Sequence, residues 1–209
     1  MTAHERKVQS EKTLLSLGIV LIDDLPPIEE ESEISLRPAN EVAERILILT
    51  YLNCVATDSS LQQPVMMFLI HEGLWDKATD DEKALFHKSP LTEEDITMIM
   101  WRSESIWLML WAIEKINHLA LPDTEADLLQ IFPYLPSFLE PTKSFIDTAT
   151  TRSVSEILDQ CDFIFRLNWA FKEHNGVLVS TTALSAGVAH ERYFAINWVT
   201  RMRERWEDS

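Results

Sequence analysis

Ser105-Ile-Trp-Leu-Met-Leu-Trp-Ala-Ile113 decides the fold. Wound as a helix, this run turns apolar side chains in nearly every direction, and a helix that is apolar all round must be enclosed by others. The residues before it supply a helix start. Thr92 with Asp95 three positions on has capping-box spacing, and Glu93 and Glu94 suit the positive end of a helix. The reading is a central buried helix over about 92–117.

Working outward, the remaining segments also read as helical. A first helix covers about Ala3–Leu17 and stops at Gly18. A second opens near Pro38, with Glu41 and Glu44 early, and runs to about Ala56. A third spans about Gln63–His71, and a short fourth spans Asp80–His87. Residues 118–141 are broken by Pro122, Pro133, Pro136 and Pro141, which predicts short helices and turns. Ser153 and Glu156 form a second capping box, opening a helix to about His174, and a last helix covers about Ala186–Trp206. The expected fold is all-α: one domain over residues 1–209, a bundle of about seven to nine helices. A minor two-stranded element at 19–21 and 177–180 is the most sheet the pattern allows. Residues 22–36 read as an exposed acidic connection carrying Pro26 and Pro27.

Composition narrows the function. The 209 residues are 46% hydrophobic and carry 34 Asp plus Glu against 18 Lys plus Arg, a formal net charge of -16. A surface of that sign repels phosphate backbones and anionic lipids, so neither nucleic acid nor membrane is expected as a partner. The four glycines cannot build a phosphate-cradling loop, so no nucleotide fingerprint exists. Ile46–Thr57 falls short of the ~20 apolar residues of a membrane span, and no secretory signal opens the chain. Cys54 and Cys161 sit in apolar helical patterns and read as buried free thiols in a reducing cytoplasm. The six histidines lack four-residue spacing, and neither a metal nor a cofactor is expected.

The candidate chemistry lies in misplaced charges. At ~100° per residue, Arg102 and Glu104 fall among Trp101, Ile106, Trp107, Met109 and Trp111. Glu191 falls inside the apolar stripe of the last helix, with Arg192 at its edge. Asp162 and Arg166 stand four apart, acid first, on a helix covered on both sides. Charges so placed need internal partners. Two readings follow. In one, Arg102, Glu104, Asp162, Arg166 and Glu191 meet as a polar site where carboxylates perform acid–base chemistry or bind a hard cation. In the other, they form a structural ion-pair network that fixes helix register.

A series of short matches then accumulates. Leu36-Arg37, Glu41-Val42-Ala43, Gly73-Leu74-Trp75, Trp101-Arg102-Ser103-Glu104 and Leu110-Trp111-Ala112 come first. Arg152-Ser153, Glu156-Ile157-Leu158-Asp159, Asp162, Arg166 and Trp169-Ala170 continue the series, and Glu191-Arg192-Tyr193-Phe194-Ala195-Ile196-Asn197-Trp198 completes it. In this order they resemble the bacterial family catalogued as domain of unknown function 4272, over about residues 10–207. The chain departs from that family at Tyr193, where His is usual, and at Pro38, where a Ser cap is expected. The resemblance implies an intracellular bacterial protein and supplies no substrate, cofactor or mechanism.

Two functions are therefore expected to compete. The first is a non-catalytic interaction protein, of immunity or regulatory type, whose acidic surface meets a basic protein partner. Its motive is the charge, concentrated in residues 1–100 with 19 acidic against 8 basic side chains. The alternative is a hydrolase-like enzyme using the buried Arg/Glu/Asp cluster, with or without a divalent metal, through a cleft reaching Arg102, Glu104 and Glu191.

Overall fold

The computed structural model describes residues 1–176 and 183–207. Nine α-helices are seen among the described residues: α1 (Ala3–Ser16), α2 (Ala39–Thr57), α3 (Gln62–His71), α4 (Asp80–His87), α5 (Glu93–Ala112), α6 (Leu128–Ile131), α7 (Lys143–Asp147), α8 (Val154–Glu173) and α9 (Ala186–Val199). Short 3-10 turns join several of them, and no described residue is in a strand. Ile19–Leu21 is irregular, and the partner stretch expected at 177–180 lies outside the described residues.

The order of packing is α2 on α5, α5 on α9, α9 on α8 and α8 on α1. From Ser103 to Ala112 every residue of α5 except Trp107 is buried, as its all-round apolar pattern requires. However, α2 is as enclosed as α5: Val42–Val55 is buried throughout except Glu44. The bundle thus has two interior helices, carrying one large core, with a smaller cluster of Leu14, Ile19, Leu167 and Phe171 where α1 meets α8.

Both capping boxes read from sequence form. Thr92 accepts from the Asp95 amide while the Asp95 carboxylate accepts from the Thr92 amide, and Ser153 and Glu156 repeat the arrangement. Thr2 with Glu5 and Thr79 with Glu82 make two more.

Two helices end earlier than their patterns suggest. The central helix stops at Ala112 rather than near 117, because Glu114 takes a left-handed backbone (φ 61°) and the chain closes with Lys115 N donating to Leu110 O. Arg152 then satisfies the stranded carbonyls of Trp111, Ile116 and Asn117. The last helix stops at Val199 rather than near Trp206. Arg201 is left-handed (φ 59°), and the chain turns back to seat Trp206 edge-on against Phe194 and Trp198. Arg201, Arg203 and Arg205 lie in that turn.

Candidate functional site

The five expected charges do not converge; with Arg192 as a sixth member they separate into three ion pairs. Arg102 and Glu104 leave α5 on opposite sides, two residues or ~200° apart. Each finds its complement on α9, so that two pairs straddle the α5–α9 contact. Arg102 Nη1 donates to Glu191 Oε2 at 3.2 Å, and Ser105 Oγ donates to the same oxygen at 3.1 Å. Glu104 Oε2 accepts from Arg192 Nε at 3.1 Å, while its other oxygen accepts from the Ala126 amide. Arg192 also donates to Ala120 O at 2.6 Å.

The third pair belongs to another part of the bundle. Asp162 and Arg166 lock together on α8 by two parallel bonds of 2.9 Å. Arg166 reaches outward to Pro26 O and Glu11, tying the acidic connection and α1 to α8. Among the described residues no hydrogen bond or ion pair links this pair to the other two. Expecting one site failed because a helical wheel gives direction around an axis but not height along it.

Burial sorts the pairs. The side chains of Glu104 and Arg192 are 1% and 4% exposed, and those of Asp162 and Arg166 are 0% and 2%. Arg102 and Glu191 keep 25% and 15%. Burial pushes the Glu104 carboxyl upward, with Arg192 and the Ala126 amide pulling it back in part. Every carboxylate of the expected cluster is engaged by a guanidinium, so none stands free as a base or metal ligand. Among the described residues no group of three or more His, Cys, Asp or Glu is placed to hold a metal ion. Burial also raises both thiols, Cys54 to about 11, which leaves them protonated and inert.

Three further buried arginines escaped the sequence reading. Arg6 meets Asp159 and Glu31 at 2.8 and 3.0 Å. Arg45 meets Glu82 at 2.7 Å. Arg37 donates to Trp198 O, Arg203 O and Glu204 O. A signal existed for two of them: Arg45 lies three after Val42 and four before Leu49, and Arg6 shares the buried stripe of Ala3, Ser10 and Leu14.

Arg37 and Arg45, with Arg102 and Arg203, interleave with the aromatic rings at the end of α9. Arg37 stacks on Trp198 at 4.3 Å, and Arg45 lies 5.8 Å from Trp198 and 5.4 Å from Trp206. Arg102 lies 5.8 Å from Trp206 and 4.7 Å from Phe194, and Arg203 closes the series at 4.5 Å from Phe194. Four guanidiniums and three rings alternate, each contact worth about 0.5–2 kcal/mol according to its desolvation. The ladder pins the C-terminal turn onto α2 and α5. A cleft of about 420 Å³ opens beside it, between α2, α4 and α5, and Arg102 is in its wall.

Among known proteins, a family model described as "Domain of unknown function (DUF4272)" matches residues 6–209. No curated protein and no solved structure gives a match.

Proposed function

Because this chain belongs to the DUF4272 family, whose description names no activity, we propose a function from the chain's own charge distribution: a non-catalytic cytoplasmic protein, of immunity or regulatory type, that binds a basic protein partner. One observation carries this reading. The fold buries a larger share of its cations than of its carboxylates. Arg6, Arg37, Arg45, Arg166 and Arg192 are buried, against only Glu82, Asp162 and Glu104 among the acidic residues described. The exterior is therefore more acidic than the formal charge of -16 implies. Such a field steers a basic partner and speeds encounter.

Residues 123–140 are the docking segment in this reading. Leu129, Phe132, Tyr134 and Phe138 are exposed there, between exposed Asp123, Glu125, Asp127 and Glu140. Apolar anchors within an acidic margin match the anatomy of a protein interface, and charge complementarity names the partner as basic.

The test immobilises the full chain, captures binders from bacterial lysate at low salt, and measures association of each purified binder. A basic protein released by salt, whose binding is lost in Phe132→Ala with Phe138→Ala and slowed in Asp123→Asn with Glu125→Gln, is the expected result. Capture of no basic protein, or binding indifferent to both variants and to salt, would overturn the proposal. The helix content of each variant is checked by circular dichroism; the two carboxylate changes should alter stability by no more than about 0.5 kcal/mol, whereas the half-buried Phe132 and Phe138, the latter packed on Tyr51, should cost about 1–2 kcal/mol each without unfolding the chain.

A further inference from the structure

Arg102 uses fewer of its donors than the fully buried arginines do, and unlike Arg203, whose Nη1 is buried without a partner, it keeps its unused donors in reach of solvent. Arg37 and Arg152 each donate to three backbone carbonyls. Arg45, Arg166 and Arg192 each combine a carboxylate with a carbonyl. Arg102 makes a single bond, from Nη1 to Glu191, among the described residues. Among the described residues its Nε and Nη2 have no acceptor, and they are not among the buried unpartnered atoms. Stacking against Phe194 and Trp206 nevertheless holds the guanidinium plane in place. A guanidinium fixed in orientation with one N–H edge free is a fork suited to a planar oxyanion.

The cleft beside it supplies the rest of a site. Leu49, Leu52, Met98, Ile99, Phe194 and Trp206 make its apolar walls. Its volume of about 420 Å³ lies within the range of small-molecule sites. Two of its charges are already neutralised, Glu82 by Arg45 at 2.7 Å and Lys88 by Asp95 at 2.6 Å. Asp81 and Glu207 remain at the wall, both exposed and acidic. They repel a multiply charged head, so phosphate esters and polycarboxylates are disfavoured.

We propose that this cleft binds a small monocarboxylic acid with an apolar body, its carboxylate on the free edge of Arg102 and its body against Phe194, Trp206 and Leu52. The site is separate from the docking segment and stands without it.

The experiment titrates the full-length protein with octanoate and phenylbutyrate, their uncharged amides, and a dicarboxylate of the same length, reading the indole and guanidinium N–H resonances by NMR. At least one monocarboxylate is expected to shift the Trp206 indole and the Arg102 Nε–H saturably. Its amide and the dicarboxylate are expected to bind about tenfold more weakly or less. Arg102→Lys keeps the charge but loses the fork, and should weaken binding about tenfold. Ala84→Trp alters an exposed position in the cleft wall and should block binding with the ladder intact. No saturable shift with either acid, equal binding of acid and amide, or indifference to Ala84→Trp would each overturn the proposal.

Discussion

The two ion pairs between α5 and α9 use the same residue types, a few residues apart, and do opposite things. Glu104 and Arg192 are shut from water, and each has a backbone partner to fill its remaining capacity. Arg102 and Glu191 are half open, joined by one bond, and Arg102 borders a cleft. The first pair is scaffold, since removing water from both charges makes each depend on the other. The second is a site candidate, since its cation has donors to spare. Charge type could not distinguish them; exposure and the count of satisfied donors could.

The largest expected effect tests that contrast. Glu104→Ala or Arg192→Ala strands a charge in the interior and should cost about 3–5 kcal/mol. The double change Glu104→Leu with Arg192→Met removes both charges, and should recover much of that loss. Arg102→Ala leaves Glu191 partly hydrated, still bonded to Ser105, and should cost about 1 kcal/mol. Urea unfolding of the four proteins reads all of this. Equal costs for Glu104→Ala and Arg102→Ala would erase the distinction between the pairs.

The next effect down concerns how closely the two helices approach. Gly187 on α9 lies under the indole of Trp101 on α5, where an added Cβ would sit 2.4 Å from a ring carbon. Overpacking of this kind costs about 1–3 kcal/mol, and alanine returns roughly 1 kcal/mol of helix propensity. Gly187→Ala should therefore lower stability by about 1 kcal/mol. Glu191 is one turn along the same face of α9, and Arg102 follows Trp101, so the open pair should be disturbed first. Loss of the Arg102–Glu191 contact while Glu104–Arg192 persists, followed by NMR of the guanidinium protons, is the outcome expected. A variant that gains stability would show the indole swings aside freely.

Much of this was legible in sequence, and the failures have a common cause. The all-round apolar run at 105–113, the capping residues Thr92 and Ser153, and the proline-broken stretch each gave local signals with local consequences. That Glu104, Asp162 and Glu191 need internal partners was also readable, because a charge among apolar neighbours on a helix has no other outlet. Which partner each takes was not readable. Arg192 rather than Arg102 serves Glu104 because of how α5 and α9 cross, a tertiary fact absent from either wheel. The ladder was invisible for the same reason. Arg37, Arg45 and Arg102 are spread over three segments and meet only when the chain turns back at Arg201 to insert Trp206.

The smallest effect lies within α5 itself, where two carboxylates move in opposite directions. Burial raises Glu104, whereas the ammonium of Lys88 and then the Thr92 hydroxyl and amide hold Asp95 down at about 2, against an ordinary 3.8. The raised group takes up its proton first in the folded state. Its contribution therefore makes stability increase as pH falls through its raised value toward the ordinary 4.5, and is constant below that. The lowered group does the reverse. Its contribution is complete above 3.8 and is lost as pH falls toward about 2. Together they give a shallow maximum in the acid range, with Asp95 setting the lower limb. Lys88→Ala removes the largest influence on Asp95, so that carboxyl should titrate closer to 3.8 and the lower limb should shift upward. Glu104 should titrate as before, since its neighbours Arg192 and Ala126 are untouched. Carboxyl-carbon NMR titration follows both groups in one sample. An unmoved Asp95 would mean that its Thr92 cap, not Lys88, holds it down.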